Sequence, residues 1–178
     1  MTKIDTTTLP EIGAAFAGGF FAGVFLDENL QLAALVVAPK AEGEATLKWK
    51  TRPTTTAGAQ SLRGGLANSD AMNDKNHPAA QFCRSLRIGG HDDWYLPSRH
   101  EAALLAENLM PGEGRVPAQT SADAFKDGAA EAFAREWYWT STEFSTGSAR
   151  FQYFGHGSQL GFVKGFRVRC RAVRKVLI

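Results

Sequence analysis

The stretch Gly89–Leu105, GGHDDWYLPSRHEAALL, packs two His, two Asp, a Glu and a Ser into one short span. Such a density of polar side chains is either a chemical centre or a structural joint, and its spacing reads as a joint. Ser98 followed by Glu101 is the S-x-x-E capping box, in which each side chain accepts from the other residue's exposed backbone N–H. Pro97 holds Leu96 extended, so WYLP leads into a helix, RHEAALLAENL, whose buried stripe is Ala102, Leu105 and Leu109. On this reading His100 and Glu101 lie near solvent in the first turn. Asp92 and Asp93 form an Asx-type turn that Trp94 anchors in the core.

The templates for catalysis and metal binding fail here and elsewhere. An HExxH zinc site needs a second His where Leu104 stands. Asp92 and Asp93 are adjacent rather than at the alternate positions of a calcium loop. Gly-x-Ser-x-Gly is absent, because His156 and Leu160 flank Ser158 at the two glycine positions. GHGSQLG, Gly155–Gly161, misses the dinucleotide spacing by one residue and follows an aromatic strand instead of opening a βαβ unit. No phosphate-binding Walker sequence occurs. No catalytic or metal-ligating residue is assigned, and no cofactor is expected.

Composition sets the frame around this joint. A chain of 178 residues with 44% hydrophobic content suits one domain that buries roughly 70% of its unfolded surface. Eighteen Gly against 21% charged residues point to turns and short strands rather than a helical bundle. The longest apolar window, Gly13–Leu26, falls short of the roughly 20 residues of a spanning helix, so no membrane insertion is expected. It lacks a basic leader, which predicts synthesis in the bacterial cytoplasm. Net charge is +2, yet from Phe144 onward there are seven bases and no acid, against 13 bases and 18 acids before it. The basic end either lies beside acidic N-terminal segments or meets an anionic partner. Nucleic acid is not the expected partner. Cys83 and Cys170 form no CxxC pair and are either buried thiols or one long-range disulfide.

Residues 1–17 read as an N-terminal arm and 18–178 as one domain. Phe20–Leu26 and Gln31–Ala38 predict a hairpin, the second run buried on both faces. Pro39–Asn76 reads mostly as loop, with a weak strand at ATLKWK. Pro78 opens a helix with Ala79, Phe82 and Leu86 on one face and Cys83 on or beside it; Gly89 and Gly90 end it. EGRVPAQTSADAFKDG reads as loop and AAEAFA as a turn of helix. WYWTSTEF, ARFQYF and FRVRCRAV read as strands, with STGS and GHGSQLG as turns. The last strand puts Phe166, Val168, Cys170 and Ala172 inside and Arg167, Arg169 and Arg171 outside. Ten of the 19 aromatic residues lie between Phe133 and Phe166. Trp137, Trp139 and Phe166 are expected in the core. The remainder, displayed with Ser, Gly and Gln, suit recognition.

Taken in order, GGFFAGVF, ALVVAPKAEGE, the helix with Cys83, DWYLPSRHE, WYWTSTEF and RCRAV resemble the Lcl C-terminal domain family, over nearly the whole chain from about residue 18. The resemblance implies an α+β, C-type-lectin-like fold: two helices, small antiparallel sheets, neighbouring termini and long loops. It implies that Cys83 and Cys170 pair or touch, and it leaves Trp94, Ser98 and Glu101 as structural residues. Related domains serve as adhesins and as receptor-binding tips of phage and prophage tails, some diversified by retroelements. The resemblance therefore implies no enzymatic activity and a ligand surface between residues 143 and 164. The contacts expected there are Phe144, Arg150, Gln152, Tyr153, His156, Ser158, Gln159, Phe162 and Lys164. The partner would be a bacterial surface glycan or protein, together with other phage tail proteins. The site of action would be the virion or the cell surface, with a homo-oligomer such as a trimer adding avidity. A structural tail or baseplate decoration is the alternative, and an enzyme of the formylglycine-generating type a third reading. Calcium-dependent sugar binding lacks its EPN or WND ligand set here.

Overall fold

The computed structural model describes residues 8–112 and 118–178. The first seven residues of the expected arm, and 113–117 of the expected loop, lie outside the described residues. Among the described residues the mixed α+β composition is as expected, with two sheets but four helices instead of two.

One sheet has the order β1 (Ala15–Phe16), β2 (Gly19–Leu26), β3 (Leu32–Val37), β9 (Val173–Leu177), all antiparallel. The β2–β3 hairpin is the one read from the sequence. Asp27 closes it: Oδ1 accepts from the backbone N–H of Asn29 at 2.9 Å and of Gln31 at 3.0 Å. Ala33–Val37 is fully buried because β2 and β9 occupy both edges and apolar clusters cover both faces. The expected arm boundary at residue 17 falls in the turn between β1 and β2. Leu9, Ile12 and Phe16 pack with Phe21, Ala34 and Ile178, so the two ends of the described chain lie together.

The other sheet has the order β4 (Glu44–Lys48), β8 (Arg167–Arg171), β5 (Trp137–Glu143), β6 (Ser148–Tyr153), β7 (Gln159–Val163). Its pairs are antiparallel except β5–β8, parallel at Tyr138 and Arg169. Two expectations change here. GHGSQLG is not all turn: its second half is β7, which fills the free edge of β6. FRVRCRAV is not one strand either. Its ladder breaks at Ala172, which exchanges hydrogen bonds with Gly43 and Ala38, and the chain then crosses to the first sheet as β9.

The helices are α1 (Lys40–Gly43), α2 (Gly65–Ala71), α3 (Pro78–Ser85) and α4 (Arg99–Leu109). α3 starts at Pro78 as expected and buries Ala79, Ala80 and Cys83. α2, GLANSDA, lies where loop was expected, because its Asn, Ser and Asp are poor helix formers. Tertiary bonds hold it: Asn68 Nδ2 donates to Ser61 O at 2.8 Å, and Ser69 Oγ accepts from the N–H of Leu96 at 3.1 Å. AAEAFA is a turn rather than helix.

Both halves of the α4 capping box are present. Ser98 Oγ accepts from the N–H of Glu101 at 3.4 Å, and Glu101 Oε2 accepts from the N–H of Ser98 at 2.7 Å. Glu101 is not near solvent, however. It is 1% exposed, Tyr95 OH donates to its Oε1 at 2.6 Å, and Gly65 sits so close that a Cβ there would collide with it. Burial pushes its carboxyl up to about 7 in spite of these hydrogen bonds. The rest of the joint is equally fixed. Asp93 takes the Arg174 guanidinium on both oxygens, at 2.6 and 2.9 Å, Trp94 is fully buried, and Tyr95 bridges to Val173.

Candidate recognition surface

The basic C-terminal segment is mostly neutralised by acids from earlier in the chain. Lys164 pairs with Glu143, and Arg169 reaches Glu44 at 2.9 Å and Glu136 at 2.8 Å. Arg171 pairs with Glu131, Arg174 with Asp93, and Lys175 with Asp27 and Glu28. Arg171 departs from strand alternation. It was expected outside, yet it is 1% exposed, with its guanidinium 4.8 Å from the Phe133 ring centroid and donating to Ala38 O at 3.0 Å. Both faces of β8 are covered at that point.

The nine expected contact residues do not form one patch. Gln152 and Lys164 are fully buried, which removes them from any surface. Lys164 lies inside because its ammonium bonds Glu143 and the carbonyls of Thr54, at 3.0 Å, and Thr146, at 2.9 Å. Gln152 shares the pleat face of Arg150 and Gln159 but is covered there, its side-chain oxygen without a partner among the described residues. Ser158 belongs to the β6–β7 turn, where its carbonyl accepts from the N–H of Tyr153 at 2.9 Å.

The pleat divides the others. On one face lie Phe144, Arg150 and Gln159. The Arg150 guanidinium stands 4.6 Å from the centroid of the exposed Phe144 ring, a cation–π geometry. Phe144 lies flat over Gly161, where any side chain would strike it. Gln159 exchanges two hydrogen bonds with Arg99, accepting from Nε at 3.0 Å and donating to its carbonyl at 2.7 Å. Arg99 opens α4 and went unmarked in the sequence. It neighbours Arg150 electrostatically: burial first, then the Arg99 charge, holds the Arg150 guanidinium below its ordinary pKa. Burial, then Arg63 and Arg99, likewise hold His100 below the usual imidazole value. Among the described residues, no acid pairs with Arg63, Arg99 or Arg150.

On the other face lie Tyr153 and Phe162, with the His156 ring 4.6 Å from that of Tyr153. Two rings expected in the core join them: Trp137 is 39% exposed and Phe166 58%, whereas Trp139 is buried as expected. Position explains both. Trp137 opens β5, and Phe166 lies in the turn between β7 and β8. Trp137 stacks on Phe151 at 4.7 Å, Phe162 meets Trp137 edge-on at 4.7 Å, and Phe166 lies 5.1 Å from Phe162. A cavity of about 260 Å³ opens beside Trp137 and Tyr153, lined also by Thr46, Arg135, Glu136, Arg167 and Arg169.

Cys83 and Cys170 are buried free thiols in contact, joining α3 to β8. Burial, then Cys170, pushes the Cys83 thiol well up. Among the described residues, no three His, Cys, Asp or Glu converge as metal ligands, and no helix is long and apolar enough to cross a membrane.

Comparison with curated proteins returned no match. The Lcl C-terminal domain matches residues 41–174, a span that holds the Ser98–Glu101 joint, both cysteines and the entire second sheet. By that match the chain belongs to the Lcl C-terminal domain family.

Proposed function

We propose that the chain is a non-enzymatic recognition module of C-type-lectin-like fold. It is carried on a phage or prophage tail or on a cell surface, and it binds a bacterial surface glycan or protein. Contact is made through the face that carries Phe144, Arg150, Arg99 and Gln159. The observation that carries this reading is a pair of guanidiniums on one face, Arg99 held by Gln159 of β7 and Arg150 on the adjoining β6, with no acid paired to either among the described residues. Elsewhere the C-terminal cations other than Arg167 find carboxylates, and like charges held together cost stability unless a partner's acceptors or anions meet them. Phe144 adds a rigid exposed ring of the kind that anchors interfaces. The contact between the α3 and β8 cysteines, the adjacent chain ends and the long connections support the lectin-like fold. Two enclosed thiols, that of Cys83 with a raised pKa, speak against thiol chemistry of the formylglycine-generating type. Weak single contacts make a trimer on a fibre, with a variable ligand surface, the natural context.

The test is binding of labelled protein to intact host bacteria and to a glycan array, comparing wild type with Arg150→Ala and Arg99→Ala. Both variants lose binding at least tenfold while keeping the wild-type unfolding midpoint. Unchanged binding in both would move the site off this face.

A second reading, a tail or baseplate decoration, draws on a different observation. Val24, Leu26, Leu30 and Leu32 at the β2–β3 tip are exposed, an apolar tip suited to docking on another subunit. Co-purification with virion proteins in the absence of cell binding would favour it.

A further inference from the structure

We infer that the cavity beside Trp137 is a second binding site, separate from the Arg99–Arg150 face, and that it takes an uncharged saccharide ring. The first support is charge balance. Three guanidiniums line the cavity, but Arg169 is held by Glu136 and Glu44 and Arg135 by Asp127 at 3.2 Å. Arg167 is tied to the carbonyl of Thr46 at 2.6 Å. Three carboxylates thus offset three cations, so an anionic ligand gains little there, in contrast to the uncompensated pair on the opposite face. The second support is chemistry. The Glu136 carboxylate is 60% exposed and offers acceptor positions beyond those used by Arg169, while the guanidiniums offer spare donors. Vicinal hydroxyl groups of a sugar, each both donor and acceptor, match such an alternation.

The third support is shape and the aromatic wall. Trp137 is fixed from behind by Phe151 and flanked by Phe162, and Tyr153 is braced by His156, so both rings are rigid before any ligand arrives. An exposed indole beside polar groups presents an apolar surface to the C–H face of a pyranose while its neighbours bind the hydroxyls. At about 260 Å³ the cavity is smaller than the roughly 300–1,000 Å³ typical of drug-sized ligands. It suits one sugar ring at the end or edge of a longer chain. Preformed side chains lower the ordering cost of binding, which matters for a ligand this small.

The test is a titration of the full chain with the methyl glycosides of glucose, galactose, mannose and N-acetylglucosamine, read by tryptophan fluorescence and by isothermal calorimetry. At least one gives a saturable response. Glu136→Gln weakens it about tenfold, Trp137→Ala abolishes the calorimetric signal, and Arg150→Ala leaves both readouts unchanged. Glu136→Gln leaves the core untouched, so its weakening stands even if Trp137→Ala impairs folding. No response to any of the four, or equal binding by Glu136→Gln, would overturn the inference. Cell binding that is lost in Arg150→Ala but retained in Glu136→Gln would leave the first site standing without the second.

Discussion

Charge is handled in opposite ways at the two sides of this molecule. Along β8 and β9, apart from Arg167, each cation meets a carboxylate, and in the joint the carboxylates of Asp93 and Glu101 meet donors: Arg174 with Asp93, Arg171 with Glu131, Lys175 with Asp27, Tyr95 with Glu101. At the β6–β7 edge, Arg99 and Arg150 are fixed by an amide and by an aromatic ring, with no acid between them among the described residues. The first arrangement stabilises the fold at the expense of accessibility. The second keeps charge available at some cost to the free protein. Polar residues therefore build scaffold in one region and, on the proposed function, make contact in the other, and the distinction is open to experiment.

The largest effect is expected within the scaffold. Glu143→Ala strands the Lys164 ammonium in a fully buried site and should cost about 3–5 kcal/mol in urea unfolding, whereas the double variant Glu143→Leu/Lys164→Met, which removes both charges, should cost far less. Equal losses in the two variants would mean that the contrast between buried pairs and exposed cations is misdrawn.

Next in size is a pH effect at the joint. Glu101 keeps its proton in the folded protein up to about 7, against 4.5 for an ordinary glutamate. The unfolded chain therefore binds fewer protons than the folded one between those values, and stability falls as pH rises through that window. The fall should be about 3 kcal/mol, and Glu101→Gln should flatten it. Asp27 and Asp93 act with the opposite sign. Burial opposes their charge, but Lys175 and Arg174 respectively outweigh it and hold both carboxyls below 3.8. The stability they contribute is present above that value and is lost on further acidification, so thermal melts below about pH 4 should show a second decline.

Smaller again is the cap. Ser98→Ala leaves one N–H of the first α4 turn without its acceptor and should cost about 1 kcal/mol. The smallest effect on folding is expected where the effect on binding is greatest. Arg150→Ala should shift stability by no more than about 0.5 kcal/mol.

The joint was legible in the sequence because its signals are local: the Ser98–Glu101 spacing, the Pro97 constraint and the stripe of α4 need no distant partner. The β2–β3 hairpin was legible for the same reason. What escaped depends on residues far apart in the chain. The burial of Glu101 needs Gly65 and Tyr95 against it, and that of Arg171 needs Glu131, Phe125 and Phe133. β7 needs the open edge of β6, since its own Gly-rich lead reads as a turn. The recognition face was half legible. Phe144, Arg150 and Gln159 lay in the segment marked for contact, but Gln152 and Lys164 lay there too, and sequence alternation alone could not show that Gln152, on the same side of β6 as Arg150, is covered. Arg99 was hidden by its role as the first residue of a helix. Only the reciprocal bonds with Gln159, sixty positions away, bring it to the surface patch.

The proposed division of labour is that the Ser98–Glu101 joint builds the fold while the guanidiniums at the β6–β7 edge recognise a partner. It is tested most directly by measuring the unfolding midpoint and host-cell binding side by side for the double variant Arg99→Ala/Arg150→Ala and for Ser98→Ala. The double variant is expected to unfold within about 0.5 kcal/mol of wild type and no longer to bind, while Ser98→Ala is destabilised yet binds normally wherever it is folded. A double variant that still binds, or a Ser98→Ala protein that is folded but fails to bind, would contradict it.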